Sequence, residues 1–449
     1  MESNHRAVNR ILDRIGAAGI IILIGLVVRL VLSPFFADSN DFPYWIGVSF
    51  DVMNGEGIYR GYNLWYPPVW GYLISFMSPI LELFGITPME YVVDEASEYG
   101  YRVGYGLVVS PGAVFILKLP LIIADALCGL LIYRIAALLT EDRKKQITAL
   151  ALWMFCPLTI YVSSVQGQIE PICTLFLLLA LWSYHRGSYF PAGAFIALSV
   201  LTKPFTALAV LPLLALVWKY GHTGKERMTF TAKYVGGGIL MTLFMILPQI
   251  INGEMDFITG FLTDRYSTSP PLPSDFTMMI APAANSFGIS DLYPSTSNLN
   301  ITFILSMLIS LILTAFIFAK DRVCDSCAVL ITTVAVCSLL MWYPATGYVQ
   351  YYVPPVAMII LCTVYDSRLK YAVYAIAIFA LIPAFHSFTN ALQLYDLGWV
   401  SIDTLNSVSD WLWNVLDIPD GIASNLKFLP LLASVILCIK LAREGSKDA

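Results

Sequence analysis

Charged residues are scarce in this sequence. Of its 449 residues only 13% are Asp, Glu, Lys or Arg, whereas 58% are hydrophobic. Soluble globular proteins carry about 25% charged residues. The composition therefore excludes a soluble globular chain and favours a polytopic membrane protein. A formal net charge of −5 says little by itself, because in such a protein the placement of charges matters more than their sum.

Cysteine is missing from the segments predicted to lie outside the membrane, where a disulfide framework would form. Six of the eight cysteines fall in the interior of hydrophobic stretches, and Cys324 and Cys327, at the edge of one, form an isolated CxxC pair. A structural zinc site needs four ligands, usually further Cys or His residues, and the sequence places none beside this pair. It therefore predicts neither a disulfide framework nor a zinc site.

Long hydrophobic runs, by contrast, are abundant. A helix needs about 20 apolar residues to cross a bilayer. Twelve stretches approach that length: residues 16–36, 113–138, 147–164, 168–184, 189–202, 204–219, 233–251, 299–319, 326–342, 350–365, 370–386 and 426–442. The first is too long for a signal peptide and lacks a small-residue cleavage site, so we expect it to be retained. The prediction is an all-α membrane protein with about 12 transmembrane helices.

The basic residues set the predicted orientation. With the N-terminus inside and residues 67–84 lying on the outer surface as a helix, nineteen of the 26 basic residues fall on the inner side, as the positive-inside rule requires. The segments left outside are residues 37–112, 252–298 and 387–425. The expected organisation is a transmembrane module at 1–251, an outer loop at 252–298 and a C-terminal transmembrane module at 299–449.

Two carboxylates open the first outer segment. Asp38 and Asp41 directly follow the first hydrophobic run, and aromatic residues typical of the headgroup region come after them. One of the two carboxylates would serve as a general base, taking the proton from a hydroxyl group of a substrate that accepts a transferred group. A divalent cation bridging Asp38, Asp41 and a phosphate is an alternative that oxygen ligands allow.

Seven basic residues break the positive-inside pattern: Arg29, Arg60, Arg102, Lys118, Lys203, Arg265 and Lys427. Of these, Lys118, Lys203 and Arg265 are candidates to hold an anionic headgroup, because Lys and Arg are the usual phosphate ligands. Snorkelling or a local ion pair is the alternative for each. Asp125, inside a predicted span, is expected to form a structural ion pair with Arg29 or Lys118.

A polar turn, SSVQGQIEP at residues 163–171, separates two apolar helices. Gln166, Gln168 and Glu170 place two amides and one carboxylate within five residues. The turn either satisfies helix ends or recognises sugar hydroxyl groups.

The order of these motifs resembles a known group of enzymes. The stretches are DSNDFPYW, GIYRGYNLWYPPVWGYLISF, KLPLIIADALCGLLIYRI, CPLTIYVSSVQGQIEP and TKPFTALAVLPLL. They are similar to the polyprenyl-phosphate-sugar-dependent glycosyltransferases of the C superfamily (GT-C). The likeness is greatest to the GPI mannosyltransferase catalytic subunit and its prokaryotic relatives, and weaker to dolichyl-phosphate-glucose glucosyltransferases. It covers about residues 16–265.

The resemblance implies surface-parallel helices in the first outer segment. It also implies Asp41 as catalytic base, with Asp38 as second candidate. Two motifs depart from the family: its Asp-x-Asp appears as Asp38-Ser-Asn-Asp41, and its later His-Glu pair is replaced by WYPATGYVQYY. The predicted sugar- and acceptor-binding residues are Tyr66, Gln166, Gln168, Glu170, Tyr348 and Gln350.

The sequence thus predicts a hexosyltransferase. It would take a hexose, mannose first among candidates, from a polyprenyl- or dolichyl-phosphate donor to a lipid-linked glycan, lipid or protein on the extracytoplasmic side, with inversion. A prokaryotic plasma membrane or an endoplasmic reticulum membrane fits, and no nucleic acid partner is expected. The alternatives are a transporter or lipid flippase, disfavoured because no internal repeat is evident, and a noncatalytic assembly partner in which Asp41 would be dispensable.

Overall fold

The computed structural model describes residues 2–38, 41–60, 64, 66–86, 111–255, 298–320, 326–342, 349–385, 394, 398–415 and 420–448. Within these ranges the regular elements are helices and no strand occurs. The prediction of an all-α membrane protein is confirmed.

The described part of the N-terminal half contains ten α-helices. They are α1 (Glu2–Leu32), α2 (Asp41–Met53), α3 (Pro68–Leu83), α4 (Pro111–Leu139), α5 (Arg143–Met154), α6 (Pro157–Ile160), α7 (Glu170–His185), α8 (Tyr189–Val200), α9 (Val210–Tyr220) and α10 (Gly224–Ile251). Short 3₁₀ segments follow α1 at Ser33–Phe35 and precede α9 at Pro204–Ala209. A π-helix at Tyr161–Gln166 continues α6.

The described part of the C-terminal half contains six α-helices. They are α11 (Asn298–Ala319), α12 (Cys327–Trp342), α13 (Val353–Cys362), α14 (Leu369–Phe385), α15 (Ile402–Val415) and α16 (Asp420–Asp448). A 3₁₀ segment at Val349–Tyr352 precedes α13.

Three helical stretches in the described residues are long and apolar enough to cross a membrane: Gly16–Phe35, Pro111–Leu139 and Gly224–Asn252. Helix α5 together with Pro157–Gln166 forms a fourth candidate that is bent by 42°. Six further apolar helices have 10–17 residues. The figure of about 12 spans stays a prediction.

The stretch at 67–84 forms helix α3, which packs on α2 and α4. The rings of Trp45 and Trp70 meet edge to face with their centroids 4.9 Å apart, and the hydroxyl oxygens of Ser49 and Ser78 are 2.7 Å apart. Helices α2 and α3 therefore share their own buried cluster beside the main helical core. The prediction of a helix here is confirmed, and its placement on the membrane surface stays a prediction.

A buried ion pair joins α1 to α4. The Nε atom of Arg29 lies 2.5 Å from Oδ2 of Asp125, and both side chains are fully buried. Arg29 also donates to the carbonyl of Met154 and the hydroxyl of Thr159, at 2.8 and 2.9 Å. Asp125 accepts a further hydrogen bond from Ser163 at 2.7 Å. Of the two partners expected for Asp125, Arg29 is the one observed.

Candidate functional site

Asp38 and Asp41 lie where the chain leaves α1 and enters α2. The backbone N–H of Asp41 donates to Oδ1 of Asp38 at 2.8 Å, so Asp38 satisfies the first amide of α2. Asp41 is the first residue of that helix.

The polar turn has an unusual backbone. After the π-helix Tyr161–Gln166, Gly167 adopts the left-handed conformation with φ 79°, which glycine reaches without strain. The amides of Gly167 and Gln168 both donate to the carbonyl of Val162, at 2.9 and 2.8 Å. The turn therefore presents Gln166 and Gln168, on either side of the glycine, toward the same carboxylate pair.

Each glutamine holds one aspartate. The Nε2 atom of Gln166 donates to Oδ2 of Asp38 at 3.2 Å, and the backbone N–H of Asp38 donates to the carbonyl of Gln166 at 2.9 Å. The Nε2 atom of Gln168 donates to Oδ2 of Asp41 at 2.7 Å. Two motifs more than a hundred residues apart in sequence thus form one cluster.

These bonds fix the orientation of both amides. An ionised carboxylate can only accept hydrogen bonds, so each amide nitrogen must face its aspartate and each amide oxygen must face away. The Oε1 atoms of Gln166 and Gln168 are buried and have no hydrogen-bond partner among the described residues. The turn consequently offers two oriented acceptors to a ligand with hydroxyl groups.

Tyr66 connects Asp41 to a cation. Its hydroxyl donates to Oδ2 of Asp41 at 3.1 Å, and the ammonium of Lys203 lies over its ring, 4.6 Å from the centroid. Tyr59 supports this tyrosine by donating to its carbonyl at 3.0 Å. Burial raises the pKa of Tyr59, so that hydroxyl keeps its proton.

Lys203 forms a buried ion pair. Its Nζ atom lies 3.0 Å from Oε1 of Glu170, with both side chains at most 5% exposed. The ring of Tyr351 covers the ammonium from another direction, with its centroid 5.0 Å away. Such cation–π contacts are strongest when water is excluded. The second oxygen of Glu170, Oε2, is buried without a hydrogen-bond partner in the described part of the chain.

The ammonium of Lys118 is surrounded by backbone carbonyl groups next to the polar turn. It is fully buried and donates to the carbonyls of Ser164 and Val165 at 2.7 and 3.0 Å and of Ser33 at 3.3 Å. It also donates to the carbonyl of Phe36. A phosphate could reach this ammonium only by displacing carbonyl groups, so these contacts do not support the predicted phosphate-binding role.

The remaining predicted site residues divide into two groups. Gln350 is buried in the 3₁₀ segment Val349–Tyr352, and its Oε1 atom lies 3.5 Å from Nε2 of Gln166. Arg265 and Tyr348 lie outside the described residues.

The residues present leave little room for a divalent cation. Both oxygens of Asp38 and one of Asp41 already accept hydrogen bonds. In the ranges that the structure describes, no group of three or more His, Cys, Asp or Glu side chains could share a metal ion. Oδ1 of Asp41 is the one oxygen of the pair that accepts no hydrogen bond from the described residues, and the presence of a cation stays a prediction.

Two features of the site were missed by the sequence reasoning. The left-handed Gly167 between the two glutamines was a visible signal, because glycine is the default residue for positive φ. The bonds of Lys118 to backbone carbonyls left no signal, since every residue has a carbonyl group.

Comparisons with known proteins bear on the family. A family model described as GPI transamidase subunit PIG-U matches residues 52–274. The matched region contains Tyr66, the polar turn and Lys203, and begins after Asp41. None of the curated proteins that were compared matches the chain.

A solved structure aligns with most of the chain. ArnT from Cupriavidus metallidurans, in a crystal structure bound to undecaprenyl phosphate, aligns with 95% of this chain and 77% of its own, at 14% identity and a TM-score of 0.48. The resemblance to GT-C membrane proteins that the sequence predicted is confirmed by the family match.

Proposed function

We propose that the chain is a membrane hexosyltransferase that takes a sugar, mannose first among candidates, from a polyprenyl- or dolichyl-phosphate donor. The acceptor would be a hydroxyl group of a lipid-linked glycan, lipid or protein on the extracytoplasmic side. One observation carries the proposal: Asp41, the first residue of α2, is fixed by Gln168 and Tyr66, and the ring of Tyr66 lies against buried Lys203.

Asp41 is suited to act as general base. Both hydrogen bonds that described side chains donate to it end on Oδ2, which leaves Oδ1 to take the proton of the acceptor hydroxyl. A base held in one orientation reduces the entropic cost of reaching the transition state. Asp38 is the weaker candidate because both of its oxygens are engaged by protein groups.

The acceptor atoms of the polar turn are suited to recognise the sugar. Oε1 of Gln166, Oε1 of Gln168 and Oε2 of Glu170 are buried without hydrogen-bond partners among the described residues. Each unsatisfied buried acceptor costs about 1–3 kcal/mol, and sugar hydroxyl groups would remove that cost. A site built in this way rejects ligands that lack the matching hydroxyl.

Lys203 is suited to stabilise the leaving group. In the proposed step the acceptor oxygen bonds to the anomeric carbon while the bond from that carbon to the phosphate oxygen breaks. The acceptor proton goes to Asp41, and the lipid phosphate leaves with the bonding electrons. Lys203 would offset the charge that develops on the phosphate, and direct displacement would invert the anomeric centre.

A noncatalytic role is the second candidate, favoured by the match to a transamidase subunit family. In that case the same acceptor atoms would bind a lipid-linked glycan for another subunit to process. Asp41 would then contribute to binding, and its carboxylate would not be needed as a base.

The two candidates separate in a transfer assay. Membranes carrying the wild type or Asp41→Asn at matched expression are incubated with radiolabelled polyprenyl-phosphate-mannose, and label is counted in lipid and protein fractions. Asp366→Asn is the control, because Asp366 pairs with Arg368 in an exposed loop. If label appears in these fractions with the wild type and the control but not with Asp41→Asn, the transferase proposal is supported. Equal label in all three proteins would rule out Asp41 as the base. A wild type that binds the lipid but transfers no label would favour the noncatalytic role.

A further inference from the structure

Two helix ends converge on one point beneath the carboxylates. The first is the end of α1, where the 3₁₀ segment Ser33–Phe35 closes the helix. The second is the end of the π-helix Tyr161–Gln166. The last carbonyl groups of a helix lack intrahelical partners and carry partial negative charge. Two such ends brought together in an apolar interior repel each other unless a cation lies between them.

Lys118 supplies that cation. From α4 its three N–H groups are shared among four carbonyls, those of Ser33 and Phe36 on one helix end and those of Ser164 and Val165 on the other. The side chain is fully buried. An apolar side chain at this position would leave buried carbonyl groups without donors, which is costly.

Site residues follow directly on both ends. Asp38 lies two residues beyond Phe36, and Gln166 is the residue after Val165. We infer that Lys118 is a positioning residue: by joining the two helix ends it fixes Asp38 and Asp41 relative to Gln166 and Gln168. The sequence predicted that Lys118 binds the donor phosphate. In this inference Lys118 instead affects the reaction by holding the backbone segments that carry the site residues.

Gly167 provides an independent observation. A Cβ atom at this position would lie 2.5 Å from Cε of Lys118 and 2.9 Å from Cε2 of Phe42. The absence of a side chain at Gly167 therefore leaves space for the lysine stem. A side chain at Gly167 would have to displace the lysine stem.

The structural part of this inference can be tested without any assay of function. Three amides report on the joined segments: the amide of Asp38, bonded to Gln166, and those of Gly167 and Gln168, bonded to Val162. We expect Lys118→Met to speed hydrogen exchange at residues 33–38 and 161–168 about tenfold in the full-length protein in nanodiscs.

Lys145→Met is the matched control. Lys145 also donates to a backbone carbonyl, that of Val364, away from both joined segments. If this control speeds exchange at the same two segments, Lys118→Met has only reduced overall stability and the inference is overturned. Unchanged exchange in Lys118→Met would overturn it as well.

The catalytic part rests on the proposed function. In the transfer assay, Lys118→Met should lower kcat about a hundredfold through misplacement of the base, with little change in the KM for polyprenyl-phosphate-mannose. A raised KM with normal kcat and normal exchange would instead assign Lys118 to the phosphate. If the wild type transfers nothing, the proposed function fails while hydrogen exchange still decides the positioning role.

Gly167→Ala keeps the test decisive if Lys118→Met does not fold. Its methyl group would displace the lysine stem without removing the charge, so we expect faster exchange at the same two segments. Normal exchange at residues 33–38 in this variant would contradict the inferred coupling between the two helix ends.

Discussion

The hydroxyl of Tyr66 donates to Oδ2 of Asp41 at 3.1 Å, and its ring faces a buried lysine. One side chain therefore touches both the proposed base and the proposed phosphate ligand. Two substitutions of Tyr66 can therefore test its hydrogen bond to Asp41 and its ring contact with Lys203 separately.

Tyr66→Phe should slow transfer about tenfold, which corresponds to about 1.4 kcal/mol, the size of one hydrogen bond to a charged group. The ring over Lys203 remains, so donor KM should change little. Tyr66→Ala removes the ring as well and should also raise donor KM. The comparison is Tyr371→Phe, an exposed tyrosine, and a Tyr66→Phe variant with wild-type kcat would separate Tyr66 from the chemistry.

The pair Glu170–Lys203 predicts effects of opposite sign on lipid binding. Glu170→Gln removes the carboxylate that competes for the ammonium, so a polyprenyl phosphate should bind more tightly. Lys203→Met should bind it more weakly. Binding of undecaprenyl phosphate to protein in detergent micelles measures both, with polyprenol lacking the phosphate as ligand control. Weaker binding in both variants would mean that the pair acts only as a structural ion pair.

The ion pair Arg29–Asp125 predicts a strong effect on stability. Removing one partner of a buried pair costs about 3–5 kcal/mol because a charge is left uncompensated. Arg29→Met and Asp125→Leu should each lower the melting temperature. The double variant should recover part of the loss, and thermal unfolding in detergent checks this. Additive losses in the double variant would contradict the coupling.

Helices α8 and α10 provide a test with an adjacent control. A Cβ on Gly237 would collide with the carbonyl of Phe190, whereas a Cβ on Gly236 would meet nothing within 4 Å. Gly237→Ala should destabilise the protein by about 1–3 kcal/mol through overpacking. Gly236→Ala should be neutral or stabilising by up to about 1 kcal/mol, since alanine favours helix. Equal melting temperatures for the two variants would show that the helices separate easily.

Much of the fold follows from hydrophobic runs. The run at 113–138 became α4, Pro111–Leu139, within about two residues at its start. Charges inside these runs predicted an ion pair of Asp125 with Arg29 or Lys118, because an isolated charge in an apolar interior is too costly, and the structure shows the pair with Arg29. Helix α15 was not anticipated, since its polar sequence lacks the long apolar run that marked the spans.

The candidate site was only partly predictable. Clusters of polar residues identified Asp38, Asp41, Gln166 and Gln168, and the structure brings these four together. The sequence did not show which glutamine holds which aspartate, because that depends on the backbone of the turn. The same holds for Lys118, whose partners are carbonyl groups freed by helix ends.

The π-helix at Tyr161–Gln166 makes the site sensitive to chain length. It contains one residue more than an α-helix would need over the same path, and a residue contributes about 100° of rotation in an α-helix of 3.6 residues per turn. Deleting one of residues 161–165 would let the segment relax to an α-helix. The two amides would then turn away from Asp38 and Asp41 without any substitution among the residues that touch one another. A family of related chains that shared this insertion would share the geometry of the cluster, and chains lacking it would need another way to hold their carboxylates.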